Sequence, residues 1–182
     1  MVGSVGTLTP LKGYEDFLRA AACVREVSPE AFFVISGVDS SPGQTYQSAL
    51  ERLIGELDLG DHVRLISWMD DITELFCALN IFVSASHSES FGLAIVEAMA
   101  AGAAVVATQT EGAREVIQDG KTGRLVPIGD AEQMAQAIIS LINDRETRQQ
   151  MATAARTAAK VSFSLARMVD ETEALYAEVL EK

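Results

Sequence analysis

The chain of 182 residues is long enough to bury one sizeable core and short for two domains of ordinary size, so residues 1–182 are read as a single domain. Its 48% hydrophobic and 22% charged residues exclude a disordered chain. A net charge of -12 excludes a broad grip on nucleic acid or on an anionic membrane, so any anionic ligand has to be held locally.

The longest apolar run, LAIVEAMAAGAAVVA, is broken by Glu97 and Gly102 and falls short of the roughly 20 residues of a membrane span. MVGSVG has no basic region followed by an apolar one; no signal peptide is read, and the expected location is the cytoplasm. Cys23 and Cys77 stand far apart in apolar contexts and read as reduced core thiols, not a disulfide or a metal site.

In chain order, a short strand SVG near residue 4 precedes the helix YEDFLRAAACVREV, in which Tyr14, Phe17, Leu18, Ala21 and Val24 share one face. AFFVISG (31–37) reads as a strand buried on both faces, and TYQSALERLIGELDL as a helix that aligns Leu50, Leu53, Ile54 and Leu57. Then come the strand HVRLIS, the short helix DITELFCAL, the strand NIFVSAS, a helix from about Leu93 to Ala101 and the strand AAVVAT. A short helix REVI and the strand GRLVP close the alternating part. From Asp130 the chain is helical: Asp130 and Gln133 resemble a capping box, with Met134, Ala137, Ile138 and Leu141 at helical spacing behind it. RETRQQMATAARTAA and SLARMVDETEALYAEVL give two further helices. Strands alternating with helices predict an α/β fold, a doubly wound parallel sheet with a helical C-terminal tail.

In such a sheet ligands bind beyond the carboxyl ends of the strands. SASHSESFGL leaves one strand and opens the next helix there. Gly92 admits a ligand to the backbone, and the free N–H groups near Leu93 favour a phosphate. Glu97 lies one turn further on and suits a vicinal diol such as a ribose; a merely solvated early-helix glutamate is the other reading. Glu89, before the helix, would reach hydroxyls on the far side of the phosphates. GTLTPLKG (6–13) sits at another strand's carboxyl end: Gly6 gives a tight turn, Gly13 opens the helix, and Lys12 either projects over the crevice as a counter-ion or is a solvated lysine. His87 faces the same crevice or is a loop residue held by backbone contacts. Asp70 and Asp71, adjacent and divergent, read as helix-start residues, and no metal-ligand cluster is found. A nicotinamide dehydrogenase is disfavoured because no G-x-G-x-x-G follows the first strand, and a glycosidase has no use for Lys12 or the helix N-terminus.

The two glutamates separated by seven residues in ESFGLAIVEAMAAG, with VGTLTPLKG, EGAREVIQDGKTGRLVPIGD and the helical tail, resemble the group 1 family of retaining glycosyltransferases with the GT-B fold. The resemblance covers essentially the whole chain. It implies two Rossmann-like domains facing across a cleft, of which this chain corresponds to the C-terminal, donor-binding one, with the N-terminal acceptor domain absent. It further implies a nucleotide-diphosphate sugar as donor substrate, a glycan or lipid acceptor, no cofactor and no metal, and peripheral membrane attachment as one option for the full-length enzyme. By match to the motif, Glu97 would bind the ribose and Glu89 the donor sugar. The backbone of Phe91, Gly92 and Leu93 would hold sugar and phosphates, Gly6 and Thr7 would form the first loop, and Lys12 would hold the diphosphate. Glu89 and Lys12 are thus the expected catalytic residues, and Trp68 with Met69 would wall the base. The family usually has an arginine where this chain has Thr7. Arg114 is the candidate to compensate; the alternative is that it is a solvated helix residue. Because of Thr7, a catalytically silent nucleotide-sugar binding or scaffolding protein is the runner-up. Phe163, Leu165, Met168, Leu175 and Tyr176 are expected to include residues that meet the missing domain, a patch that would favour self-association in isolation.

Overall fold

The computed structural model describes residues 1–67 and 69–180. Six strands, β1 (Val2–Val5), β2 (Phe33–Ser36), β3 (Val63–Ile66), β4 (Ile81–Ser84), β5 (Ala104–Thr108) and β6 (Arg124–Val126), form one sheet in the order β3-β2-β1-β4-β5-β6. Every pairing is parallel. Strands Val2–Val5 and Ile81–Ser84 are neighbours although far apart in sequence, so the winding reverses between them. The loops after β1 and β4 therefore diverge to opposite faces and leave a crevice at their carboxyl ends.

Alternating side chains along each strand build two cores. Ile81, Val83, Ala104 and Val106 point to one face, where α1 (Tyr14–Val27), α2 (Thr45–Glu56) and α6 (Ala131–Asn143) cover them through Phe17, Leu50 and Ile138. Phe82, Val105 and Ala107 point to the other, under α3 (Thr73–Ala78), α4 (Leu93–Ala101), α5 (Glu111–Val116) and α7 (Arg145–Ser162). Each large apolar side chain buried in this way contributes roughly 1.5–3 kcal/mol. The predicted cap at the start of α6 is present: Asp130 Oδ1 accepts from the Gln133 N–H at 2.9 Å. The Gln133 side chain, however, turns to the Asp130 carboxylate, at 2.7 Å, instead of closing a capping box on the backbone.

Three expectations are corrected. Cys23 and Cys77 are free thiols but exposed, because each falls on the outward face of its helix despite apolar neighbours. The helix predicted as REVI starts three residues earlier, at Glu111, where the Thr110 hydroxyl accepts from the Ala113 N–H. Phe163 is half-buried within this domain, its ring edge-on to Phe91 at 5.8 Å, and so is not a wholly free member of the tail patch. In the rest of the tail α8 (Leu165–Leu180) buries none of its residues, with Leu165, Met168, Leu175 and Tyr176 all exposed. Among the described residues no helix is long and apolar enough to cross a membrane.

Candidate functional site

A cleft of about 970 Å³ opens at the carboxyl ends of β1, β2 and β4. Its walls come from four loops that the sheet order brings together: Gly6, Thr7 and Lys12 after β1, Val38 and Ser40 after β2, Met69 and Asp70 after β3, and residues 89–94 with Glu97 after β4. Gly6, Thr7, Lys12, Glu89, Phe91, Gly92, Leu93 and Glu97, expected from the family motif to hold the donor, all line this one cleft.

The β1 loop is shaped by two contacts. Tyr14, fully buried, donates its hydroxyl to the Gly6 carbonyl at 2.7 Å, and burial raises that phenol well above its ordinary value. Gly13 has φ 65° and packs so closely on the β4 loop that a Cβ would lie 2.1 Å from the Ala85 carbonyl oxygen. A left-handed backbone and a backbone-to-backbone approach together demand glycine there. Across the same seam the His87 N–H donates to the Leu11 carbonyl at 2.8 Å.

The β4 loop is held from below and from the side. The Thr108 hydroxyl, buried at the end of β5, donates to the Ser86 carbonyl at 2.5 Å. The Gly112 N–H of α5 donates to the Glu89 carbonyl at 3.1 Å. A Cβ on Gly112 would come within 2.8 Å of the Phe91 backbone, so this glycine is what lets α5 seat against the loop. Gly92, at φ 94°, then starts α4. The Gly92 carbonyl accepts the N–H groups of Ile95 and Val96, and those of Leu93 and Ala94 remain at the helix mouth, where both residues line the cleft. A helix N-terminus with free N–H groups suits an anion.

The two glutamates differ in state. Glu89 accepts from the Lys12 ammonium, Nζ to Oε2 2.6 Å, in a partly buried ion pair. Glu97 makes no hydrogen bond or ion pair with the described residues, and partial burial raises its carboxyl above the ordinary value. A carboxylate on the cleft wall without a donor is suited to accept from hydroxyl groups of a ligand. Lys12 is the one cationic side chain among the described residues lining the cleft, against Asp70, Glu89 and Glu97.

Of the other sequence candidates, His87 and Arg114 are not brought in. His87 pairs its Nε2 with Asp16 Oδ2 at 2.7 Å, tying the β4 loop to α1 by its side chain while its backbone N–H ties the loop to Leu11 of the β1 loop. Arg114 gives its guanidinium to Gln109, at 3.1 Å to the carbonyl and 2.9 Å to the side chain, and does not line the cleft. Asp71 is a helix-start residue, accepting from the Thr73 N–H at 2.8 Å, while its neighbour Asp70 lines the cleft. Trp68 lies outside the described residues, and Met69 is in the cleft wall. Sequence reasoning missed Gly112; a glycine in the first turn of a helix, costing about 1 kcal/mol against alanine, was the available signal. Among the described residues no group of three or more His, Cys, Asp or Glu side chains is placed to hold a metal ion.

A family model described as glycosyl transferases group 1 matches residues 1–158. The chain is 30% identical over 177 residues to the N-acetyl-alpha-D-glucosaminyl L-malate synthase of Bacillus anthracis, covering 97% of this chain and 45% of that one. It is 33% identical over 178 residues to the D-inositol 3-phosphate glycosyltransferase of Corynebacterium diphtheriae, covering 96% and 41%. It thus spans about half the length, or slightly less, of these curated relatives. Among solved structures, Anabaena HepE in complex with UDP-glucose superposes with a TM-score of 0.90 at 29% identity, over 97% of this chain and 48% of that one. The C-terminal domain of a group 1 family glycosyl transferase, LpcC of Francisella tularensis, superposes with a TM-score of 0.83 at 29% identity, over 90% of this chain and 86% of that one.

Proposed function

Since the chain belongs to the group 1 glycosyltransferases, we propose that it is the donor-binding half of a retaining enzyme and holds a nucleotide-diphosphate sugar in the cleft between the β1 and β4 loops. The observation that carries the reading is the convergence of a helix N-terminus, a lysine and two glutamates on one cleft at the point where the sheet reverses. The diphosphate lies against the N–H groups of Leu93 and Ala94 and under Lys12. The ribose gives its hydroxyls to Glu97, and the sugar reaches Glu89. The base runs toward Val38, Ser40, Met69 and Asp70.

The chemical contribution of this half is to stabilise the departing diphosphate as negative charge builds on it. Preorganised donors do that best, because they need no rearrangement at the moment of bond breaking. The α4 N-terminus and the Lys12 ammonium supply them with no role for a metal. With Thr7 in the first loop and Arg114 engaged by Gln109, Lys12 is the only side-chain cation that the described residues offer the cleft, and this favours binding over fast transfer. The acceptor, a glycan or lipid, is met by an N-terminal domain outside this chain. The exposed apolar residues of α8, with Leu165 72% and Tyr176 65% exposed, would dock on that domain and self-associate without it.

Calorimetric titration with uridine, guanosine and adenosine diphosphates and their sugar conjugates tests the reading. One nucleotide series binds, and Glu97→Ala weakens it by about tenfold or more, as for loss of hydrogen bonds to a charged group. Absence of binding by any of them would remove the donor site and leave a scaffolding role.

A further inference from the structure

The Lys12–Glu89 ion pair has a consequence for ligand choice that rests on the donor-site reading. The two side chains meet across a 77-residue separation at 2.6 Å, and both line the cleft. Glu89 is the more enclosed, its side chain 18% exposed against 30% for Lys12. Its backbone carbonyl accepts from the Gly112 N–H at 3.1 Å, which leaves the side chain as the freer part to turn. The cleft's one described cationic side chain is therefore already neutralised before any ligand arrives. A diphosphate that draws the Lys12 ammonium off Glu89 leaves a half-buried carboxylate without its donor, a state that costs more than a neutral group left unpaired.

We infer that Glu89, through its hold on Lys12, makes the cleft discriminate between the intact nucleotide sugar and the spent nucleoside diphosphate, favouring the first and expelling the second. A nucleotide sugar replaces what it takes, because its hydroxyls donate to Glu89 while its diphosphate accepts from Lys12. A nucleoside diphosphate has no hydroxyls at that position. Its terminal phosphate instead carries about -1.5 to -2 of charge and faces the abandoned carboxylate directly. Product release after transfer is thus driven by the residue that bound the sugar, with no conformational device beyond one side-chain rotation.

The test compares the wild-type chain with Glu89→Gln, Lys12→Gln and the double variant. Titrations use UDP, GDP and ADP against UDP-glucose, GDP-mannose and ADP-glucose. Glutamine is isosteric and still accepts from Lys12, so folding is retained, which a thermal melt checks. Glu89→Gln is expected to bind the preferred nucleoside diphosphate about fivefold more tightly than wild type, the size of a partly exposed ion pair, with the gain shrinking as salt is added. The same variant binds the matching nucleotide sugar no better or worse, so the preference of wild type for the sugar conjugate collapses. In the Lys12→Gln background the gain shrinks, because only the direct repulsion between Glu89 and the terminal phosphate remains. Equal weakening of both ligands by Glu89→Gln would overturn the inference and leave the donor site standing, with Glu89 a sugar contact only. A gain that persists in full without Lys12 would also overturn it, since the repulsion would then act without the pair. Failure of every nucleotide and nucleotide sugar to bind wild type would overturn both the inference and the reading beneath it.

Discussion

The two ends of the cleft are built on opposite plans. At the Glu89 end the loop is tied at several points: the Glu89 carbonyl to Gly112, the carboxylate to Lys12, the neighbouring Phe91 ring to Phe163, and the loop to the β1 loop through the approach of Gly13 to Ala85. At the Glu97 end the carboxylate has no partner among the described residues, and Asp70 lines the wall without a bond to any of them. The difference teaches which part of recognition is preorganised. Reacting groups need fixed geometry, and a misplacement of about 1 Å can cost on the order of 100-fold in rate. On the donor-site reading, a nucleoside needs only to be gripped, and its own hydroxyls would complete the hydrogen bonding there.

The strongest way to break the contrast is to loosen the tied end at its glycine. Gly112→Ala places a methyl within 2.8 Å of the Phe91 backbone, which has no flexible end to yield. Overpacking of this kind costs about 1–3 kcal/mol, and the accompanying shift of residues 89–92 is expected to lower donor affinity roughly 10- to 100-fold. Intrinsic helix propensity alone would stabilise the same substitution by about 1 kcal/mol, so the sign of the change in a denaturant melt decides the matter. A neutral or stabilised variant with unchanged affinity would mean that the loop is not held there. Phe163→Ala comes next. It removes the edge-on partner of Phe91, and since Phe163 is only half-buried the loss is expected near 1–2 kcal/mol, below the range for a fully buried ring. Donor affinity falls by a few-fold at most, because the backbone pins remain. A fall as large as that for Gly112→Ala would make the ring, not the glycine, the main support.

Much of this arrangement is legible in the chain itself, and the illegible part has a common cause. The strand and helix cores follow from local periodicity; Leu93–Ala101 and Tyr14–Val27 have the predicted ends because a glycine precedes each. The gathering of Gly6, Lys12, Glu89 and Glu97 on one cleft follows from one rule about carboxyl ends of parallel strands. What escapes is any contact made between loops. The direct bond from Lys12 to Glu89 depends on β1 lying beside β4, a neighbour relation that spacing does not encode. The same holds for Phe163 under Phe91 and for Gly112 against the loop backbone. The exposure of Cys23 was readable in principle, since Tyr14, Phe17, Leu18, Ala21 and Val24 define a face that leaves it outside.

The smallest expected effect sharpens the untied end. Partial burial raises the Glu97 carboxyl, so the folded apo protein binds that proton more tightly than the unfolded chain does. A group of this sign favours the folded state below its unfolded pKa and loses that contribution as pH rises through its folded pKa. Glu97→Gln, neutral at every pH, is therefore expected to be slightly more stable than wild type at neutral pH, within about 0.5 kcal/mol as for exposed substitutions, with the difference vanishing or reversing at acid pH. Nucleotide binding moves the other way. If the ribose hydroxyls donate to the carboxylate, wild-type affinity drops as pH falls through the carboxylate range, and the drop starts at higher pH than for an ordinary glutamate. Melting curves and titrations of both proteins across that range read the two effects separately. A variant that is less stable at neutral pH would show that Glu97 has a partner in the apo protein, and the contrast between the two ends would dissolve. A variant that is more stable and binds poorly would fix Glu97 as a residue kept for its ligand at a small cost to the fold.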